Sequence, residues 1–367
     1  MKIYVYAICK NEEKFVRRWM KSMSEADGVF VADTGSSDDS VKILRELGAT
    51  VSEIKINPWR FDEARNKSLS LVPDDADICV CTDLDEYFND GWRTELEKKW
   101  QKGITTRAKY KYTWSFNENG TPGVSFWYEK IHARHGFKWV HPVHEVLEYS
   151  SDLPDNYAIC DKITLEHHPD KTKSRAQYLA LLEMSVEESP EDDRNMHYLG
   201  REYMFRGRWD DCIKTLTHHL EMPNAKWSDE RAASMRYIAR AYKAKGDYYN
   251  AKIWLFRAIG EAPYVREGYA ELAWLGYDTG DYELTYCMVN EALKIKEKPE
   301  TYINEDFCWN YSLYDLGAIG AYNIGLLSRA EELEEQAAKM SDDKRIKNNL
   351  EIIKARRQKV ISVGDGA

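Results

Sequence analysis

Three carboxylates, Asp83, Asp85 and Glu86, follow directly on the short run Ile78-Cys79-Val80-Cys81-Thr82. The two aspartates are two residues apart, so an extended backbone aims both at one face. Paired this closely they repel, and a hard divalent cation shared with phosphate oxygens is the usual partner that relieves the repulsion. A buried strand that stops at paired acids also ends where open α/β sheets bind ligands. Solvated surface aspartates are common, however, so the elements around the pair decide its meaning.

Residues 2–9 alternate in the manner of a buried first strand. Asn11 is an expected N-cap for the next helix, which carries acids in its first turn and buries Phe15, Trp19 and Met23. Gly28 to Asp33 reads as a second strand, Val41 to Leu47 as a helix closed by Gly48, and Ala49 to Ile56 as a third strand. This rhythm predicts a parallel sheet with the loops after the first two strands on one rim. Asn11 and Asp33 on that rim offer polar groups suited to a nucleotide. Asp33 and Ser36 suit a simple turn equally well. Neither G-x-G-x-x-G nor G-x-x-x-x-G-K-[ST] occurs, so neither a dinucleotide fold nor a P-loop is indicated. The segment from Asn57 opens a further helix to Leu71, bringing Arg65 and Asn66 near the rim, where an arginine can grip a diphosphate with two hydrogen bonds.

The segments I-C-K-N-E-E, V-A-D-T-G-S-S-D-D-S, F-D-E-A-R-N and T-D-L-D-E, in that order, resemble family 2 glycosyltransferases of the GT-A fold. The resemblance implies an α/β mixed-sheet domain over residues 1–172, a nucleotide-sugar donor (usually UDP-linked), Mn²⁺ or Mg²⁺ at the D-x-D, and transfer with inversion. By position it implies that Ile8, Asn11, Asp33 and Arg65 line the nucleotide. Asp83 would lie near ribose and metal, and Asp85 would hold the metal that bridges the diphosphate.

Beyond the acids, residues 104–116 alternate as a strand with one aromatic face, Asn117-Glu118-Asn119-Gly120 turns it back, and Val124 to Ile131 returns. In proteins that resemble this one, a Trp followed by V-H-E lies on the acceptor side, here Trp139 and Val143-His144-Glu145. Inverting transfer needs one base in line behind the acceptor; Glu145 is expected in that role, with His144 orienting it or acting in its place. The alternative is a strand-end carboxylate and a core histidine. GT-A enzymes often complete the metal site with a late histidine, and strand-end parity favours His168 over His167 after the apolar stretch Ala158 to Leu165. Lys173 and Arg175 then meet the diphosphate, or cap a surface helix.

A net charge of −10 argues against broad binding to nucleic acid or anionic membrane. The seven cysteines are scattered without a C-x-x-C pair, which gives neither a cysteine zinc site nor a disulfide framework and fits a reducing cytoplasm. No apolar run approaches the roughly 20 residues of a membrane span, and no export route is visible.

Residues 173–361 read as helix throughout. Gly207, Gly246, Gly280 and Gly325 are each followed five places later by a small residue: Cys212, Ala251, Thr285 and Ala330. Gly246 to Gly280 is 34 residues, the tetratricopeptide period, and this half resembles those repeats. Such an array can hold an extended acceptor (peptide, protein or glycan), brace the first domain, or form a homodimer. The helix from Asp342 to Lys359 is an expected cap, and residues 362–367 an expected frayed end. The whole reads as a metal-dependent glycosyltransferase. One alternative is a sugar-phosphate nucleotidyltransferase, which wants a Gly-rich basic loop where Lys10-Asn11-Glu12-Glu13 stands. The other is a non-catalytic helical-repeat scaffold.

Overall fold

The alternation along the first strand sets the two faces of the N-terminal sheet in the structure, a computed structural model that describes residues 1–117, 120–170, 172, 173 and 175–364. Two compact units are formed: Met1–Glu188 with Glu300–Tyr302, and Ser189–Pro299 with the residues from Ile303 on. The first unit runs β1 (Ile3–Cys9), α1 (Glu13–Ser22), β2 (Gly28–Asp33), α2 (Ser40–Glu46), β3 (Thr50–Glu53), α3 (Phe61–Ser70) and β4 (Ile78–Cys81). It continues with β5 (Glu86–Phe88), α4 (Trp92–Lys99), β6 (Arg107–Thr113), β7 (Ser125–Ala133), β8 (Phe137–Val140), β9 (Val146–Tyr149), β10 (Tyr157–His167) and α5 (Tyr178–Glu188).

Eight strands pair in the order β3-β2-β1-β4-β7-β6-β10-β5, and β8 and β9 form a separate hairpin. The β3-β2-β1-β4 half is parallel; β7 joins β4 and β6 antiparallel, β10 runs parallel to β6, and β5 closes the edge antiparallel to β10. β1 has β2 on one side and β4 on the other, so successive crossovers leave it in opposite directions. The carboxyl ends of these strands open a crevice at that switch point.

Ile3, Val5 and Ala7 of β1 and Ile78 and Val80 of β4 pack with Val16 and Trp19 of α1, Leu44 of α2 and Trp92 of α4. On the opposite face Tyr6, Cys79 and Cys81 pack with Leu69 of α3 and with Trp139 and Leu147 of the hairpin. Burying a large apolar side chain contributes roughly 1.5–3 kcal/mol, so a strand covered on both faces is apolar at nearly every position. All seven cysteines are free and six are buried.

Three local expectations change. Glu12, not Asn11, occupies the cap position of α1, and no side chain caps it. Asn11 instead takes a left-handed backbone (φ +55), which Asn tolerates, and its Oδ1 accepts from Ser37 N at 2.7 Å. The third strand is confined to Thr50–Glu53. The acid pair does not lie on extended backbone: Glu86 N donates to Asp83 O at 3.0 Å, so the chain turns through Leu84 and Asp85 into β5. The turn expected at 117–120 includes residues 118 and 119, which lie outside the described residues, but β6 and β7 do pair antiparallel.

The second unit is helical: α6 (Asp193–Phe205), α7 (Trp209–Glu221), α8 (Ser228–Ala244), α9 (Tyr248–Glu261), α10 (Glu267–Thr279), α11 (Tyr282–Lys294), α12 (Tyr311–Asn323), α13 (Leu327–Met340) and α14 (Lys344–Gly364). Gly207, Gly246, Gly280 and Gly325 all adopt positive φ between the members of a pair, where a Cβ would be strained. Asp247 and Asp281, each next to its glycine, accept from Asn250 N and Leu284 N and so start the second helix. Cys212, Ala251, Thr285 and Ala330 are at most 1% exposed, which is why each must be small. At Gly200 a Cβ would stand 2.3 Å from Leu216 Cδ2, so α6 and α7 approach through the missing side chain. Ile346 and Ile353 bury one face of α14 as a terminal cap. That helix extends through Gly364, and residues 365–367 lie outside the described residues. Among the described residues no helix is long and apolar enough to cross a membrane.

Candidate active site

Asp83 lies just past the end of β4 and is gripped by two cations. Arg65 of α3 reaches its Oδ1 at 3.0 Å, and Lys130 of β7 reaches its Oδ2 at 3.2 Å. Burial alone would push the Asp83 carboxyl up, but Arg65 and Lys130 hold it well below the ordinary carboxylate range. Lys130 is only 6% exposed and also lies 3.4 Å from Glu86 Oε1. Glu86 in turn receives Tyr112 OH at 2.8 Å and Asp83 N at 2.8 Å. Burial raises the Glu86 carboxyl above its ordinary value even with Lys130 beside it.

The guanidinium of Arg65 continues the chain of charges: its Nε donates to Glu145 Oε1 at 2.5 Å. Burial would lower the Arg65 pKa, but Asp83 and Glu145 raise it well above the ordinary value. Asp83, Arg65 and Glu145 are thus one connected row. Asn66, next to Arg65, turns elsewhere: it exchanges two hydrogen bonds with the Trp139 backbone, at 2.8 and 2.9 Å, and ties α3 to β8. The indole of Trp139 donates to Tyr6 OH at 2.8 Å, and that hydroxyl lies 2.8 Å from His132 Nε2. The hairpin carrying Glu145 is therefore anchored to β1 beneath it.

Asp85 has a different surrounding. Its Oδ2 lies 3.4 Å from His167 Nε2. His167 stacks on Trp114 at 4.4 Å, and its Nδ1 lies 3.2 Å from the Trp114 carbonyl, so Nδ1 carries the proton in the neutral ring. The Nε2 lone pair then faces a carboxylate oxygen, an arrangement that calls for a proton or a metal cation between them. Burial lowers the His167 pKa, but Asp85, together with Glu86 and the Trp114 carbonyl, turns this into a net rise. The expectation had His168 on this side, but its ring lies 3.1 Å from Glu166 Oε2 and stacks on Phe116, while its backbone N–H bonds to Asp85 O. The parity reverses because the register of β10 shifts between Cys160 and Thr164; inward positions change from Ala158 and Cys160 to Ile163, Leu165 and His167.

The remaining predicted residues divide. Asp33, 2% exposed, accepts from Gly35 N, Ser36 N and Ser36 Oγ, so its carboxylate braces the loop after β2. Asn11 N donates to Ser36 Oγ at 2.9 Å and braces the same loop from β1. Ile8 is half-buried near the end of β1, opposite Ala32. Lys173 forms an ion pair with Glu12 and donates to Lys10 O at 3.3 Å, which sets it over the end of β1. Burial, with Asp85 and Asp83 adding to it, pushes Glu12 up to about 7 against the pull of Lys173. The Glu12 Oε2 is buried without a hydrogen-bond partner among the described residues. Arg175 lies over Tyr178, and His144, with φ +54, meets the same ring edge-on at 5.9 Å. Burial raises Tyr178, with Arg175, Glu145, Asp83 and Arg65 all acting on it, so its ring stands near the row of charges.

Sequence reasoning gave no role to Lys130, Glu86 or Glu12 and ranked His167 behind His168. Lys130 had only a weak signal, a charged residue at a buried position of a strand that also carries Ser125, Glu129 and His132. His167 had none, because a bulge decided it.

A cation fits this corner. Asp85 and His167 present facing acceptors, Glu12 leaves an oxygen unsatisfied, and Asp83 is already neutralised by protein cations.

Residues 4–146, less than half of the chain, match the model of the family described as Glycosyl transferase family 2. No curated protein matches the chain. Among solved structures, the crystal structure of MamA is 16% identical, with a TM-score of 0.36, covering 44% of this chain and 85% of its own. A tetratricopeptide repeat protein from Parabacteroides merdae is 18% identical (TM-score 0.34), covering 48% of this chain and 62% of its own. A thermophilic TPR protein from Thermus thermophilus is 14% identical (TM-score 0.35), covering 48% and 88%. The repeat character of the second unit rests on its own paired helices and their glycine turns. Residues 4–146 are thus a family 2 glycosyltransferase domain, and the helices beyond it are tetratricopeptide-like repeats.

Proposed function

We propose that this chain is a metal-dependent inverting glycosyltransferase that moves a sugar from a UDP-linked donor to an acceptor nucleophile. The observation that carries the reading is the approach of His167 Nε2 to Asp85 Oδ2, 3.4 Å, beside an Asp83 fixed by Arg65 and Lys130. Mn²⁺ or Mg²⁺ held by Asp85 and His167 would neutralise the charge that builds on the leaving diphosphate.

The chain's own groups do the rest. Asp83, pinned from two sides, accepts from the ribose hydroxyls. Ile8 offers an apolar ledge, and Asn11 and Asp33 hold the loop after β2 against the nucleotide. Lys173 and Arg175 supply positive charge to the diphosphate oxygens. The acceptor's nucleophile bonds to the anomeric carbon as the carbon–oxygen bond to the diphosphate breaks, and the electron pair leaves with the nucleotide. The acceptor's proton passes to Glu145, whose Oε1 is held by Arg65, and His144 backs this side through Tyr178. In the helical unit a cavity of about 480 Å³ lined by Arg240, Glu271, Trp274, Glu305 and Phe307 mixes charge with aromatic surface, as suits an extended peptide or glycan acceptor.

Incubating the protein with UDP-sugars and Mn²⁺ and measuring released UDP tests the reading. Slow, metal-dependent hydrolysis that one sugar supports best is expected. Turnover that requires pyrophosphate would assign a nucleotidyltransferase instead, and absence of any nucleotide-sugar binding would leave a helical scaffold.

A further inference from the structure

The helical repeats bury a second group of ligand-bearing side chains. His197 of α6, His219 of α7 and Glu230 of α8 each offer one ligand atom, all within 4.8 Å of one another. The two imidazoles are at most 1% exposed. Ser234, one turn beyond Glu230 on α8, joins the rings: its Oγ lies 2.7 Å from His197 Nδ1 and 3.1 Å from His219 Nδ1. On the other edge of its ring, His219 Nε2 lies 3.5 Å from Glu230 Oε1 and makes no hydrogen bond among the described residues.

A hydroxyl oxygen carries two lone pairs and can accept from both Nδ1–H groups. Both Nε2 atoms then keep their lone pairs. Leaving a buried polar nitrogen unmatched costs about 1–3 kcal/mol, and a well-packed three-helix junction has no need of such a cost. Two imidazoles and a carboxylate give three of the four ligands of a tetrahedral divalent ion, and the Ser234 hydroxyl on the far ring nitrogens orients both rings as a carboxylate, carbonyl or water does for other metal-bound histidines. The 3.5 Å between His219 Nε2 and Glu230 Oε1 is close to the ligand-to-ligand spacing around an ion with bonds of about 2.1 Å.

We propose that His197, His219 and Glu230 form a structural site for one divalent transition metal of the zinc class, buried where α6, α7 and α8 meet. The absence of C-x-x-C spacing does not bear on it, because the ligands come singly from three helices. The ion is taken up as the repeats fold, and its binding free energy adds to theirs. The site is separate from the acids at the sheet rim and does not depend on the transferase reading.

The test uses the full chain carrying Asp85→Asn, which weakens metal binding at the rim, expressed with zinc or with cobalt supplementation. Elemental analysis is expected to return one metal per chain, and the cobalt form is expected to show the intense visible bands of a tetrahedral ion. Adding Glu230→Gln or His219→Asn should remove both signals. Chelator should lower the melting temperature of the Asp85→Asn chain and leave the Glu230→Gln derivative unmoved. A supplemented Asp85→Asn chain without bound metal or cobalt bands overturns the proposal, whether or not the further variants fold. Metal retained in full after Glu230→Gln overturns it too.

Discussion

Lys130 Nζ lies 3.2 Å from Asp83 Oδ2 and 3.4 Å from Glu86 Oε1, so one buried ammonium serves a half-buried and a buried carboxylate. Arg65 remains on Asp83 if Lys130 is removed, whereas Glu86 would lose its only ion-pair partner among the described residues. Breaking a buried pair from one side costs about 3–5 kcal/mol because a charge is left uncompensated. Lys130→Met is therefore expected to lower stability by that order, and adding Glu86→Gln should recover more than half of it. Urea denaturation of the single and double variants checks this. If the two losses simply add, the ammonium is not neutralising Glu86.

The facing of Asp85 and His167 separates two neighbouring histidines. His167→Ala should weaken Mn²⁺-dependent nucleotide-sugar binding by at least about tenfold, a loss typical of removing a group from a metal's surroundings. His168→Ala should change it little, since that ring contacts Glu166 and Phe116 instead. Asp85→Ala should abolish the metal dependence while leaving the helical unit folded by circular dichroism. Titration calorimetry with and without Mn²⁺ reads all three. Equal loss from both histidine variants would remove the distinction drawn from β10.

Much of this arrangement was legible from the chain alone. The two-sided burial of β1 and β4 follows from their nearly unbroken apolar sequence, and the glycine turns of the repeats from Gly-Asp-Tyr, in which Gly supplies the left-handed position and Asp the next cap. Arg65 is expected near the sheet rim from its place in the helix after Asn57, and in the structure its guanidinium pairs with Asp83. What escaped depended on register. The shift in β10 between Cys160 and Thr164 changed which histidine faces Asp85, and β5, only three residues long, carries no pattern of its own. Asp83-Leu84-Asp85 looked extended because period-two spacing is the default for acids after a strand. The hydrogen bond from Glu86 N to Asp83 O turns it.

Glu145 is positioned by the guanidinium that also holds Asp83. A base contributes about 10²–10⁴-fold to a proton-coupled transfer. Glu145→Gln keeps the shape and one acceptor for Arg65, so donor affinity should stay within about twofold, while transfer falls by at least about 10². Donor binding by fluorescence and single-turnover transfer separate the two. Transfer at the parent rate would place the base elsewhere, with His144→Gln the next variant to measure.

In the helical unit Glu334 of α13 is fully buried, and neither carboxylate oxygen has a hydrogen-bond partner among the described residues. Burial first, and the charge of Asp315 second, push its carboxyl from the ordinary 4.5 to about 8. The folded chain therefore keeps this proton up to about 8, while the unfolded chain gives it up near 4.5. Between those values the folded state binds more protons, so stability falls as pH rises, with a slope of up to about 1.4 kcal/mol per pH unit from this group. Above the upper value the penalty is complete and the slope vanishes. Glu334→Gln removes the titration without emptying the site. Its melting temperature should match the parent's at the acid end of the window, rise progressively above it, and hold a constant lead beyond pH about 8. Parallel melting curves for the two proteins across the window would mean that Glu334 does not carry its proton into the folded repeats.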